Sequence, residues 1–572
     1  MSPMAPQDAT MYWLSRRTPN DLFLLYSFAD TGLPTAELRA FVADRGAGIP
    51  DLRVRLREVR GDLDYPSWVL GGFGADQFVE HRLPRADWAH LLDAVGELLG
   101  TGVDATASPW RLHVFRGVEG APMRATEAEL AIVVVLQMSH ALADGRRSSE
   151  IARALFGAGE DTIGHGSAFG SGSTAASDPV AGPGSAVDAL GAGAAGSGVM
   201  AEAGRRGSDV LNRIRAAAAD RIGTAAVRSV RRFACRVEAA TGAVVNSRDR
   251  FGDYPMVAPD RPLRSGATAE QMRPDGLQRV PPRARPGPLF GIIGKLDFAP
   301  VLGVLRMPVR VTQTAVRGVH AYRAQRELAE LTATGRLPAA GPGFTPGAVN
   351  RCGAGDISRH QVRMIVRDAD SVRVPGRTVT VMVLTAISVA LAEYLAARGE
   401  PVDRLGAQVP MALPAASGRT RNNYRSLGVD LHLAEPDLRR RADRIAADLS
   451  DRRIRAAHPL LAAQDRVTAV TPAPLLRRDI ARYPLDTVPD TIAGHTVVSS
   501  VHRGPADLTF AGAPVRFTAG FPAIGSVMHL THGVHGLGDT VTISVHADPV
   551  AVPDLDAYVD RLRAALDLVS RT

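Results

Sequence analysis

Cysteine is nearly absent from this chain: Cys235 and Cys352 are the two in 572 residues. Two cysteines cannot build a disulfide framework, nor a zinc site by themselves, and they fit a reducing compartment. Lysine is scarcer still. Lys295 stands alone, so the net charge of +8 is carried by arginine. An arginine bias of this kind reflects base composition as much as binding, although a basic surface suits an anionic membrane face or a phosphate-bearing molecule such as coenzyme A. Aromatic residues make up 5%, and no nucleic-acid reader motif occurs, so no nucleic acid is expected as a partner. No uncharged apolar run is read as reaching membrane-spanning length; Pro288 to Pro308 is broken by Lys295 and Asp297. Residues 1–20 lack the apolar core of a signal peptide. The expectation is a cytoplasmic protein, at most peripheral to the inner membrane or to lipid droplets. No Gly-x-Ser-x-Gly elbow occurs, which speaks against a serine-nucleophile hydrolase.

What is present is a globular composition, 45% hydrophobic and 22% charged, with length for more than one packed region. The most informative stretch is Gln137–Gly145. Before it, Ala131–Leu136 is a β-branched run with the composition of a buried strand. After it, Ser148–Leu155 reads as a helix. His140 therefore sits where a buried strand ends and the chain turns, a place that fixes the backbone while exposing the side chain. Asp144 could orient the turn or pair with a cation, and Gly145 offers backbone angles closed to other residues.

Further along the first part, helices are expected over 34–44 and 86–99, and strands over 22–26 and 110–115. Residues 159–207 are dominated by Gly, Ala and Ser, cannot bury much apolar surface, and read as a flexible insertion. Over 208–238, Val210, Leu211, Ile214 and Ile222 recur at helical spacing among arginines, a basic amphipathic helix suited to a lipid surface. An irregular connection and a helical linker follow to about 340. Val379–Leu395 is a long apolar helix candidate, Val409–Leu413 and Val541–Ala547 strands, and Leu555–Leu568 a closing helix.

Several of these stretches together resemble the bacterial wax ester synthase/diacylglycerol acyltransferase family. They are Pro6–Leu14, Tyr65–Trp68 with His81 and Pro84, Ser108–His113 with Gly117, Thr345–Asn350 with Gly355 and Arg359, Asn422–Leu427, and Ser499–Val501 with Gly504 and Pro505. The family carries a His-His-x-x-x-Asp-Gly motif, shared more loosely with condensation domains and chloramphenicol acetyltransferases. The resemblance covers about the first 158 and last 230 residues. It implies two chloramphenicol acetyltransferase-like α/β subdomains, 1–158 and 341–572, each a mixed sheet flanked by helices, with an active-site tunnel between them.

By the same resemblance His140 is the general base of a direct transfer from acyl-CoA to a hydroxyl, with diacylglycerol or a fatty alcohol as acceptor. No cofactor is implied; acyl-CoA is a substrate. Asp144 is then structural, paired with Arg53, and Gly145 belongs to the motif. Ser139 replaces the first motif histidine. Thr380 and Val381 stand where the family usually carries Asn-Asp, and Ser500 where it carries asparagine; Ser139, Thr380 and Ser500 are expected to line the site. An alternative is a catalytically silent relative that binds lipid or a partner, or an acyltransferase for a specialised envelope lipid. His529, His532 and His535 are not expected to hold a metal, since 529 and 532 would face opposite sides of a strand.

Overall fold

The computed structural model describes residues 2–157, 299–351, 360–413, 420–485 and 487–572. The expected insertion over 159–207 and the basic helix over 208–238 lie outside the described residues.

The first part starts with β1 (Ser2–Pro3) and α1 (Pro6–Ser15). Proline in the first turn is compatible with α1 because no intrahelical donor is lost there. Then come β2 (Leu22–Ala29), α2 (Thr35–Ala47), β3 (Val54–Arg57), β4 (Ser67–Leu70), β5 (Phe78–His81), α3 (Trp88–Leu99), β6 (Trp110–Val118), β7 (Ala131–Met138) and α4 (Gly145–Phe156). Asp87 caps α3 through the His90 N–H, and Gly100 ends it. All eight residues of β7 are buried, the signature of a central strand covered on both faces. Each large apolar side chain so buried is worth about 1.5–3 kcal/mol relative to exposure.

The second part contains α5 (Ala299–Ala333), β8 (Gln361–Asp368), α6 (Val379–Ala397), β9 (Gly406–Ala412), β10 (Tyr424–Asp430), α7 (Leu438–Ala456), α8 (Ala462–Thr468) and α9 (Ala473–Arg482). It ends with β11 (Thr496–His502), β12 (Thr509–Phe510), β13 (Ala513–Gly520), β14 (Leu530–Leu537), β15 (Thr540–Ala547) and α10 (Leu555–Val569).

These strands build two six-stranded mixed sheets, ordered β12-β13-β2-β7-β6-β5 and β10-β9-β11-β14-β15-β8. In the first, β5 and β6 are parallel; in the second, β11 runs parallel to β9 and β14. The small sheet β1-β4-β3 sits beside them. One face of the first sheet buries Tyr26, Phe28, Leu136 and Met138 with residues of α1, α2 and α4. Its other face buries Leu25, Val133 and Val135 with Leu91 and Val95 of α3 and Val362 and Met364 of β8. The second sheet packs on α6, α7 and α10.

The expected cut at residue 341 does not separate the sheets. The chain leaves the second sheet after β11, adds β12 and β13 to the edge of the first, pairing β13 with β2, and returns as β14. An exposed edge on β2 would leave a row of unpaired backbone groups, and the crossover covers it. The two halves also meet at Gly96 of α3, where a Cβ would stand 2.4 Å from the His360 carbonyl oxygen. Any side chain there would push the halves apart.

The described helix closest to a membrane span is α6, whose uncharged run Glu393 interrupts. By length and hydropathy α6 would suffice, being 19 residues at a mean hydropathy of 1.9, with 67% of that window buried. Its apolar surface is accounted for by the second core, where Met382 through Ile387 are buried against α10 and the sheet.

Candidate active site

Strand β7 carries His140 to the boundary between the halves. After Met138 the chain turns: the Ser139 N–H donates to Pro109 O, and the Leu142 N–H to Ser139 O. Asp144 then caps α4 by accepting from the Arg147 N–H at 2.9 Å. The half-buried ring of His140 faces a cavity of about 610 Å³. Leu14 and Leu22 line it from the first half, and Val497, Val501 and Ile524 from the second. Tyr424 places its ring 6.0 Å from the imidazole, centre to centre.

A tripeptide at the foot of β10 grips the whole motif turn. The Arg421 guanidinium donates to Leu142 O at 3.2 Å. Asn422 Nδ2 donates to His140 O at 2.8 Å, and the Asn423 N–H to Asp144 Oδ2 at 3.0 Å. Behind the tripeptide lies Asp8 of α1, fully buried. Its carboxylate accepts four hydrogen bonds, two from the Arg421 N–H and two from the Asn422 N–H and Nδ2.

This network fixes the state of the histidine. Asn422 Nδ2 points at two acceptors, so Oδ1 is the atom that meets His140 Nδ1 at 2.8 Å. The proton of a neutral ring must then sit on Nδ1, leaving the Nε2 lone pair as the basic atom. Burial holds the imidazole below its ordinary value of 6.5, against the opposing pull of Asn422 and Asp144. Burial likewise pushes the Asp8 carboxyl up to about 6, although its bonds from Arg421 and Asn422 act to lower it.

Asp144 caps α4, and Arg53 is not its partner. Its two oxygens are occupied by the Arg147 and Asn423 backbone N–H groups, whereas the Arg53 guanidinium donates to Ala47 O at 3.4 Å. The nearby acid that arginines hold is Asp51, bound by Arg147 at 2.9 Å and Arg421 at 2.6 Å. A helix cap satisfies the carboxylate with fixed dipoles, so no buried counter-ion is needed.

Gly145 is not in a conformation reserved for glycine: its φ is not positive, and it forms the first turn of α4. A Cβ there would meet Val501 at an ordinary 3.8 Å and narrow the cavity. Ser139 does not line the cavity; it is buried in the turn, 1% exposed, because His140 takes the outward position next to it. Thr380 is also outside the wall. Its Oγ1 shares a 2.8 Å hydrogen bond with Ser500 Oγ, and Ser500 is in the wall. The three C-terminal histidines go separate ways: His529 pairs with Asp548, His532 bonds Thr496 and Tyr558, and His535 packs by Gly520.

Sequence reasoning missed the roles of Asp8, Asn422 and Asp21, the last a buried carboxyl of the same wall. Asp8 and Asn422 both lie in stretches that carry the family resemblance, which was the available signal. Their partnership spans 414 positions of sequence, and no local pattern reports that.

Two mixed sheets flanked by helices, with a histidine presented at the cavity between them, define the chain as a mixed α/β protein. More specifically, residues 421–570 match the family model described as the WS/DGAT C-terminal domain. The matched region opens on the tripeptide that grips the His140 turn. Among solved structures, the chain is similar to the wax ester synthase/diacylglycerol acyltransferase of Marinobacter aquaeolei VT8, at 14% identity and a TM-score of 0.49, covering 100% of both chains. It is also similar to the starter condensation domain of rhizomide synthetase in complex with C8-CoA, at 11% identity and a TM-score of 0.46, covering 100% of this chain and 95% of that one. The sequence matches no curated protein.

Proposed function

We propose that this chain is an O-acyltransferase that moves an acyl group from acyl-CoA to the hydroxyl of a lipid alcohol. The observation that carries this reading is the His140 Nε2 lone pair, fixed by Asn422 and directed into a largely apolar cavity. In the reaction the acceptor oxygen attacks the thioester carbon as Nε2 takes its proton. The C–S bond of the tetrahedral intermediate then breaks, and the imidazolium returns the proton to the thiolate. Alcohol and thioester become ester and thiol with no net proton change and no acyl-enzyme. A histidine held neutral is the correct starting state for a base.

A lipid acceptor implies delivery from a membrane or droplet surface. Helix α5 supports this: Leu302, Leu305, Val309, Val316 and Val319 are exposed along it at heptad-like spacing. Diacylglycerol, fatty alcohols or a specialised envelope lipid would all fit such delivery.

Release of free thiol from acyl-CoA of several chain lengths, with these alcohols and short soluble ones as acceptors, tests the reading. Alcohol-dependent release with formation of the matching ester is expected. His140→Ala should lower it by about 10² to 10⁴ while the circular dichroism spectrum stays the same. A wild-type chain that binds lipid but releases no thiol with any acceptor would instead be a silent, lipid-binding relative.

A further inference from the structure

The cavity holds a second buried carboxyl that the mechanism above does not use. Asp21 directly precedes β2, whose first residue, Leu22, pairs with Met138, two residues before His140. Asp21 is 3% exposed, and it lines both the main cavity and a small neighbouring pocket shared with His360 and His546.

A row of directed hydrogen bonds fixes one of its oxygens. From β5 through β6 and β7 to the residue before β2, His81 Nε2 meets His113 Nδ1 at 2.8 Å, His113 Nε2 meets Gln137 Oε1 at 2.9 Å, and Gln137 Nε2 donates to Asp21 Oδ2 at 2.9 Å. The direction can be read from the Asp21 end. Gln137 must point its Nε2 at the carboxyl, so its Oε1 must accept from His113 Nε2. His113 Nδ1 is then an acceptor and takes the His81 proton. The Val103 N–H donates to the same Oδ2 at 2.8 Å. Oδ2 is thus occupied by two donors and cannot carry a proton, while among the described residues Oδ1 receives no hydrogen bond.

We propose that Asp21 is a second catalytic group of this cavity, donating a hydrogen bond from Oδ1–H to the carbonyl oxygen of the reacting thioester. The bond strengthens as that oxygen becomes an oxyanion, and the proton stays on Oδ1 throughout. The row His81–His113–Gln137 is positioning: it keeps Oδ2 turned away and Oδ1 towards the substrate. A neutral carboxyl in a dry site is an effective donor of this kind. Burial pushes the Asp21 carboxyl up to about 7, against the opposing bonds from Val103 and Gln137 and the charge of Arg111. The titratable groups around it include Arg111, His113 and His81 on its own sheet, His360 and His546 from the second half, and His140, Asp144, Arg146, Glu150, Arg153, Tyr424, His502 and Arg503 in the wall of the same cavity. Burial holds His113, His81 and His546 below the ordinary histidine value, so these rings are neutral where the carboxyl titrates.

This inference rests on the acyl-transfer reading, and the pH profile of thiol release separates the two. The donor form exists below the carboxyl's value and is lost above it. Wild-type turnover should therefore fall as pH rises above about 7. Asp21→Asn places an amide in the same seat, with its oxygen accepting from Val103 and Gln137 and its N–H₂ facing the substrate. It should keep turnover within about tenfold and lose the alkaline decline. Asp21→Ala should lose about 10² to 10³. An Asp21→Asn enzyme with the wild-type alkaline decline, or an Asp21→Ala enzyme with wild-type turnover, overturns the assignment and leaves acyl transfer standing. Should the alanine variant fail to fold, the asparagine profile decides alone. A wild-type chain without thiol release overturns both.

Discussion

Two buried carboxyls flank the same histidine-bearing turn, and burial raises both, Asp8 to about 6 and Asp21 to about 7. Their bonding differs. Asp8 accepts four hydrogen bonds, three at Oδ1 and one at Oδ2, all from Arg421 and Asn422. Asp21 accepts two, both at Oδ2. A carboxylate with every oxygen engaged can only hold its donors in place. One with an oxygen left over, on a residue in the wall of a cavity, can meet a ligand. Burial alone therefore does not assign a role; the count and direction of donors do.

The contrast can be broken most forcefully at Asp8. Asp8→Asn replaces an acceptor with a donor opposite N–H groups that already donate, so it should destabilise the fold. The effect depends on pH with a definite sign. The Asp8 value is raised above its unfolded value of 3.8, so the stability it contributes is full below that value and lost as pH rises through about 6. The stability gap between wild type and Asp8→Asn should therefore narrow by roughly 3 kcal/mol between pH 4 and pH 7. Urea unfolding across that range measures it; a gap that widens would mean the carboxyl is not raised.

Asn422→Ala comes next, because it cuts the link between Asp8 and His140. Losing a buried hydrogen bond costs about 1–3 kcal/mol, and here the loss frees the imidazole tautomer. Turnover should fall about 10- to 100-fold, and the melting temperature should fall with the lost stability. Equal turnover would show that the Nδ1 proton is fixed by some other group.

The smallest effects separate Asp144 from Arg53. Asp144→Ala removes the cap of α4 and the bond from the Asn423 N–H, and should lower stability by about 0.5–2 kcal/mol. Arg53→Ala should stay within about 0.5 kcal/mol of wild type. Equal losses in thermal unfolding would restore a direct pairing of the two.

Much of this molecule was legible locally. The β-branched run before His140, the helix expected over Ser148–Leu155 and the long apolar stretch from Val379 each follow from side-chain shape and spacing, and each formed the expected element. The family resemblance drawn from short stretches in order agrees with the WS/DGAT match at 421–570. What failed did so where the partner lay far away in sequence. Arg53 was chosen for its place in the chain, yet a backbone cap and Asn423 left Asp144 no need of it. Ser139 and Thr380 were placed in the wall, yet the turn hides one and Ser500 stands in front of the other.

The sequence by itself determined the elements, the place of His140 at the end of a buried strand, and the match of residues 421–570 to a family model. These depend on period, β-branching and capping, which act over a few residues. Only the tertiary structure decided which nitrogen of His140 is basic, which oxygen of Asp21 remains available, and which half owns β12 and β13. Those outcomes depend on donors and acceptors brought together across hundreds of residues, and on the obligation that buried polar groups find partners there.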